Sequence, residues 1–303
     1  MLNPRFRLIA FVIALCLGLV ALEHPPVSAQ RQSMPRTPWG TPDFQGATWN
    51  FATMTPLERP RGIDKPELTP EETVTYERDT AKARAANVNN GYDWWDEGAA
   101  HLDRRRTSLI TDPPDGRLPP IVPNVQRRRG RGGNPEGPED FPLNSRCIFY
   151  QNAGPPMVPS PYNNNVQFVE TRDYVLISNE NIHDARVIPL DGRPHGHAAQ
   201  WLGDSRGRWD GDTLVIDTVN LTSKTSVAGS DENLHVVERF TALDADTLSY
   251  EFTVDDATVW TRPWTALLHL HRLSEPIYEF ACHEGNFLIM EDMLKVARMS
   301  DKP

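Results

Sequence analysis

The amino-acid sequence predicts a mainly β protein, an antiparallel β-barrel that follows a Pro-rich N-terminal arm and carries one surface helix and a C-terminal helix. After Asn165, short runs of alternating apolar and polar residues are separated by turn residues, as in a meander of half-buried strands. Leu248, Tyr250, Phe252 and Val254, for example, alternate with polar side chains. The 27 prolines among 303 residues require that part of the chain is extended rather than helical.

The first 29 residues have the pattern of a Sec-type signal peptide. Arg5 and Arg7 precede an apolar run over residues 8–22, and a V-x-A cleavage site ends at Ala29. The run is shorter than the ~20 apolar residues that a membrane span needs. We therefore expect a periplasmic or secreted protein with no membrane span after cleavage.

Residues 30–143 are predicted to form the N-terminal arm and residues 144–303 the barrel domain. Within the arm, Thr69 can cap a helix that begins at Pro70 and runs to about Ala86, with Glu72 completing a capping box. The Arg-rich segment 127–133 is interpreted as a solvated loop, because no aromatic residues lie between its arginines. A net charge of -10 argues against nucleic acid as a partner.

Eight strands are predicted in the second half of the chain. They cover residues 166–171, 174–178, 185–190, 213–218, 234–242, 247–254, 265–273 and 277–282. Residues 204–212 are interpreted as a hairpin-like turn that leads into the strand at Thr213. An amphipathic helix over 289–299 closes the chain. Signal-peptide cleavage leaves Cys147 and Cys282, which can form one disulfide or remain two free thiols.

Several motifs resemble those of a large group of exported bacterial proteins. They are RTPWGTPD (36–43), TPLERP (55–60), IPLDGRPH (188–195), GRWDGDTL (207–214), ENLHVVERF (232–240), TRPWT (261–265) and CHEGN (282–286). This resemblance implies export and a shared fold, and it implies no activity. A looser resemblance to lipocalin-type barrels comes from Gly46 and Trp49, whose spacing is one residue longer than in that family. It implies a lipocalin-like barrel with a small-molecule cavity.

Histidines are concentrated in the predicted barrel, where seven of the eight that remain after cleavage follow residue 180. We expect one site at a barrel mouth. Its candidate catalytic residues are Asp184, His195, His235, Arg239, His283 and Glu284. Histidine and carboxylate side chains suit general acid–base catalysis, and Arg239 can stabilise an oxyanion. Alternatively, these groups form salt bridges and hydrogen bonds that tie strands together.

The same histidines are candidate metal ligands. His195, His235 and His283 with a carboxylate would suit a divalent metal such as zinc or iron. The pairs His195/His197 and His269/His271 have the i, i+2 spacing that places two imidazoles on one face of a strand. For both pairs, histidines at the surface or the barrel rim are favoured over metal ligands.

These residues predict an exported small-molecule enzyme, a lyase, isomerase or hydrolase that uses histidine and carboxylate acid–base chemistry with or without a metal. One alternative is a non-catalytic periplasmic carrier of a hydrophobic or aromatic ligand. Another is an envelope interaction protein that uses the Arg-rich segment. The expected partner is a small-molecule ligand or substrate, and the sequence predicts no particular oligomeric state.

Overall fold

Ten strands form one antiparallel sheet in the computed structural model, which describes residues 32–87, 97–123, 125, 141–225 and 227–300. The predicted signal peptide and the Arg-rich segment 127–133 lie outside the described residues. The strands are β1 Thr48–Asn50, β2 Ile110–Asp112, β3 Asn165–Glu170, β4 Tyr174–Asn179, β5 Ala185–Pro189, β6 Asp204–Asp210, β7 Thr213–Val219, β8 His235–Asp244, β9 Thr247–Asp255 and β10 Trp264–Leu273. The helices are α1 Pro70–Asn87 and α2 Cys282–Ser300. Neither of these two helices is long and apolar enough to cross a membrane.

The strand order is β5-β4-β3-β1-β10-β9-β8-β7-β6, with β2 pairing to β10 as a branch. The terminal strands β5 and β6 share no backbone ladder, but they lie side by side, so the sheet curls into a nearly closed barrel. We call this gap in the hydrogen bonding the seam. The predicted fold class, a mainly β antiparallel barrel with two helices, is confirmed.

Aromatic side chains fill the barrel interior. Phe168, Phe240, Tyr250 and Phe252 form a chain of ring contacts with centroid separations of 4.5–5.5 Å, and Trp264 extends it at 5.9 Å. All five are buried. The interior is therefore a packed core, in contrast to the central small-molecule cavity that the lipocalin resemblance implies.

One ion pair lies inside this core. Arg186 donates two hydrogen bonds to Glu238, of 2.5 and 2.9 Å, and the side chains are only 3% and 0% exposed. The Tyr250 hydroxyl donates a third bond to Glu238 at 2.7 Å and accepts one from the Met157 backbone. Burial alone would lower the pKa of Arg186, but the adjacent carboxylate outweighs it and the pKa is raised. Arg186 therefore keeps its charge inside the core, where Glu238 accepts both of its hydrogen bonds.

The N-terminal arm takes part in the sheet. Its strand β1 lies between β3 and β10, and β2 pairs with the start of β10. Helix α1 begins as predicted, with the Glu72 side chain accepting from the Thr69 backbone N–H at 2.8 Å and the Thr69 hydroxyl accepting from the Glu72 N–H at 3.3 Å. The capping box therefore marks the observed start of the helix.

The predicted strand over 277–282 is wrong. Residues up to 281 are irregular, and α2 begins at Cys282, seven residues before the predicted helix start. Strand β10 already pairs with β9 on one side and with β1 and β2 on the other, which leaves no free edge for a following strand. Cys282 also forms a disulfide with Cys147, and this settles the alternative that the sequence left open.

The segment 204–212 is a strand and a tight turn, where the sequence predicted only a turn. Asp204–Asp210 forms β6, paired with β7 over its full length, and Gly211 and Asp212 form the two-residue hairpin loop. Gly211 has a φ of +61°, a left-handed conformation that favours glycine. Strand β6 contains four charged residues and a glycine and has no regular alternation, so the hydrophobic pattern gave no sign of its backbone pairing.

Replacing Gly207 of β6 by Ala is expected to destabilise the protein by about 1–3 kcal/mol, because it would overpack the seam. An added Cβ would lie 2.8 Å from Ile188 Cγ2 and 2.7 Å from Leu190 Cδ2, closer than side chains approach in practice. Urea denaturation measures the loss. Gly196→Ala is the matched control, since its Cβ would meet only Asp204 at 3.6 Å. Equal stability of both variants would show that β5 and β6 separate easily.

Candidate functional site

Two of the predicted site residues meet at a shared carboxylate. Asp217 of β7 bridges two imidazoles, with 2.8 Å from Oδ1 to His195 Nε2 and 2.8 Å from Oδ2 to His235 Nε2. Hydrogen bonding to His235 holds the pKa of Asp217 below its usual range, and the same bond raises the pKa of His235. We call this cluster the Asp217 bridge.

The Asp217 bridge fastens the loop between β5 and β6 to the barrel. Asp204 reinforces it, since this carboxylate accepts from the Gly196 backbone N–H at 2.6 Å, pairs with Arg206 and lies 3.5 Å from His195 Nδ1. The Asn220 amide also donates to the Gly196 carbonyl at 3.0 Å. These contacts tie the loop between β5 and β6 to the neighbouring strands.

The other predicted site residues lie elsewhere. Asp184 lies just before β5 and lines a cleft at the seam. Arg239 pairs with Asp210 at 3.4 Å, and it lies four residues along β8 from His235, so the two residues are about 13 Å apart along the strand. His283 and Glu284 are exposed in the first turn of α2, where Glu284 complements the helix dipole. Within the described residues, no hydrogen bond or ion pair links these two side chains to the Asp217 bridge.

The described part of the chain contains no group of three or more His, Cys, Asp or Glu side chains arranged to hold a metal ion. The two imidazoles of the Asp217 bridge direct Nε2 at the carboxylate that they share. The zinc or iron centre on His195, His235 and His283 has no support from these contacts and remains a prediction.

A different histidine–carboxylate pair is deeply buried. Asp103 of the N-terminal arm accepts a hydrogen bond from His269 of β10, with 2.7 Å between Oδ1 and Nδ1, and each side chain is 4% exposed. A carboxylate can only accept, so Nδ1 carries the proton. In the neutral form of the ring, this tautomer leaves the lone pair on Nε2, for which the described residues offer no hydrogen-bond partner. We call the pair the Asp103–His269 dyad.

The dyad forms where the N-terminal arm leaves the edge of β10. Pairing with β2 reaches Ala266 and pairing with β1 starts at His271, so His269 lies between the two. Asp103, which lies between β1 and β2 in the sequence, contacts His269 at this gap.

Backbone bonds and strained residues hold Asp103 in place. Its N–H donates to Thr55 Oγ1 at 2.8 Å and to Thr53 Oγ1 at 3.1 Å. Arg104 and Arg105 then adopt left-handed φ values of 47° and 61°. Such conformations in non-glycine residues concentrate at functional sites, where the surrounding structure enforces them.

The dyad lines a cleft of about 600 Å³, which we call the dyad cleft. Its wall includes polar side chains from four segments, among them Asn50, His101, Asn165, His271 and Glu275. His271 follows His269 on the same face of β10, about 7 Å along the strand. Desolvation lowers the pKa of His271, so its imidazole is neutral at pH 7. The volume is in the range of small-molecule sites.

Sequence reasoning recognised the shared face of His269 and His271 but did not select either as a site residue. No sequence pattern pointed to Asp103, because it lies 166 residues before His269 in a segment without strand or helix periodicity. Only the pairing of β1 and β2 with β10 brings it to His269.

Residues 203–207 have the G-x-S-x-G spacing of a serine-hydrolase nucleophile elbow, which places its serine at a sharp strand-to-helix turn. Here Ser205 lies within strand β6, and its hydroxyl is hydrogen-bonded to Thr218 Oγ1 at 2.9 Å. Ser205 is therefore a structural residue of the barrel wall.

Comparison of the chain with known protein families, with curated proteins and with solved structures found no match.

Proposed function

We propose that the protein is a small-molecule enzyme in which the Asp103–His269 dyad acts as the general base of the dyad cleft. The buried 2.7 Å bond between Asp103 and His269, on the wall of a cleft of ligand size, is the observation that carries this proposal. A carboxylate on Nδ1 orients the imidazole, fixes its tautomer and stabilises the imidazolium that forms when Nε2 takes a proton.

His271 supplies a second function. Because its imidazole is neutral at pH 7, it carries one N–H that can donate to a substrate oxygen without adding a charge to the cleft. Base and donor on one strand face, about 7 Å apart, suit a carbonyl compound held between them. His269 would either take a proton from the carbon next to the carbonyl group or take one from a water molecule that attacks the carbonyl carbon.

This proposal keeps the predicted chemistry and moves its location. The acid–base mechanism and the reaction classes of lyase, isomerase or hydrolase are those expected from the sequence, but His269 and Asp103 replace His195 and His235 as the reacting pair. The Asp217 bridge is more exposed, and both of its imidazoles already use Nε2 to hold the carboxylate.

Replacing His269 by Gln is expected to lower turnover by about 10²- to 10⁴-fold, the usual contribution of a general base. The measurement is a screen of small esters, lactones, hydroxy acids and keto acids against the protein, followed by kcat/KM of the variant on each compound that reacts. Glutamine keeps a hydrogen-bonding side chain next to Asp103, so the fold is retained.

The matched control is His235→Gln, which also removes a carboxylate-bound imidazole but lies in the Asp217 bridge. We expect this variant to keep wild-type turnover. A variant at His269 that reacts as fast as the wild-type protein would refute the proposal, as would loss of turnover only in the control.

A further inference from the structure

A second cleft lies at the seam between β5 and β6. It has a volume of about 680 Å³, and its wall includes Ile148, Asp184, Arg186, Trp201 and Asp204. We call it the seam cleft. The seam cleft shares no lining residue with the dyad cleft, so the two clefts are separate sites.

The seam cleft contains one carboxylate whose charge is not neutralised. Arg186 is paired with Glu238 inside the barrel, and Asp204 is paired with Arg206 and hydrogen-bonded to the Gly196 backbone. Asp184 is involved in no salt bridge within the described parts of the chain. The lining charges of this cleft therefore leave a net negative charge at Asp184.

Asp184 has hydrogen-bonding capacity that the protein does not use. Its Oδ2 is buried and has no partner in the described structure, while the carboxylate is also close to the backbone N–H of Tyr150. Burial raises the pKa of Asp184 to about 6, so the group is mostly ionised at pH 7. A buried acceptor without a donor is unfavourable, and a charged donor would relieve this cost most effectively.

The wall of the seam cleft that contains Asp184 also contains an aromatic residue. Trp201 is 37% exposed, and its backbone carbonyl accepts a 3.0 Å bond from the Thr225 hydroxyl, which holds its position at the cleft. Ala185, Val187 and Leu202 add apolar surface to the wall. A cation with an apolar body would meet a carboxylate at one end and an indole and aliphatic groups along its length.

We infer that the seam cleft is a binding site for a small organic amine, with the ammonium group on Asp184 and the apolar body against Trp201. A cation satisfies the unpartnered oxygen and neutralises the charge, whereas an anion would meet the Asp184 and Asp204 carboxylates.

The test is isothermal titration calorimetry of the purified protein with 2-phenylethylamine at pH 8, with the neutral isostere 2-phenylethanol as the comparison ligand. We expect saturable one-to-one binding of the amine to the wild-type protein. The wild-type protein should bind the alcohol about 10- to 100-fold more weakly, and Asp184→Asn should bind the amine about 10- to 100-fold more weakly, which is the range for loss of a charged hydrogen bond. Trp201→Ala, which keeps the carboxylate, is expected to weaken binding as well.

Lowering the pH through about 6 should weaken binding of the amine, because Asp184 becomes protonated while the amine stays charged.

Asp173→Asn is the control, since it removes an exposed carboxylate at the β3–β4 turn, at the other end of the barrel. It should bind as the wild-type protein does. His269→Gln should also bind normally, which separates this site from the dyad cleft. Absence of saturable amine binding, equal affinity for the alcohol, or unchanged affinity in Asp184→Asn would each overturn the inference.

Discussion

Replacing Glu238 by Gln is expected to destabilise the protein by about 3–5 kcal/mol, because it leaves the Arg186 cation buried without a counter-charge. The substitution preserves the shape of the side chain, so the loss reports on charge rather than on a cavity. Glu238 is completely buried and accepts from Arg186 and from the Tyr250 hydroxyl. Urea denaturation at pH 7, followed by circular dichroism and tryptophan fluorescence, measures the free energy of unfolding.

The chain supplies a matched control in an exposed pair of the same geometry. Arg36 donates two 2.7 Å bonds to Asp212, but these side chains are 52% and 56% exposed. Solvent screens such a pair, and its loss costs little. Asp212→Asn should therefore unfold close to the wild-type midpoint. Equal losses in the two variants would mean that water reaches the Arg186 pair inside the barrel.

The double variant Arg186→Met/Glu238→Leu is expected to recover most of that loss. Replacing both charged partners with apolar side chains of similar volume is often neutral or stabilising, because two desolvated charges disappear together. Tyr250 loses its acceptor but still accepts the 2.9 Å bond from the Met157 backbone. A double variant as unstable as Glu238→Gln would indicate that the network holds β5 against β8 in a way that packing cannot replace.

The same pair illustrates what the hydrophobic pattern could predict. In β8, Val236 and Phe240 are buried, as the alternation requires, and this periodicity was enough to place most of the barrel strands. Alternation also predicts that His235 and Glu238 face opposite sides of the sheet, and they do. It could not identify Arg186 as the partner of Glu238, because the two meet only when the sheet closes at the seam.

Strands without alternation were missed for a related reason. Strand β6 contains Asp204, Arg206 and Gly207, and its strand conformation depends on backbone bonds to β7 rather than on an apolar face. The segment 277–282 has the reverse property, since it alternates but has no sheet edge to join. Pairing depends on the neighbours that the fold provides, and a single stretch of sequence does not contain that information.

The candidate site was harder to predict than the fold. Seven histidines follow residue 180, and within the described residues their imidazoles contact three carboxylates: Asp217, which binds two of them, Asp204 and Asp103. Which of them is buried in a cleft depends on the path of the N-terminal arm, which has no periodic pattern. The most enclosed contact uses the arm residue Asp103, and its position could not be inferred before β1 and β2 were placed.

Replacing Asp103 by Asn is expected to lower kcat/KM by about 10²- to 10⁴-fold on any substrate that the His269 screen identifies, because the amide no longer enforces the reactive tautomer. An asparagine can present its NH₂ group to Nδ1, which moves the ring proton to Nε2 and removes the lone pair that accepts the substrate proton. Steady-state kinetics measure the rate. The ¹⁵N shifts of the His269 ring report the tautomer independently of turnover.

The double variant Asp103→Asn/His269→Gln should be no slower than His269→Gln alone, because the carboxylate acts only through the imidazole. Asp217→Asn is the control, since it removes the carboxylate that holds two other imidazoles outside the dyad cleft. If Asp103→Asn kept the wild-type rate, or changed the rate without changing the His269 tautomer, Asp103 would not orient the base. If the losses of the two single variants added in the double variant, Asp103 would contribute to the rate even without His269. The carboxylate would then act on the substrate directly rather than through the imidazole.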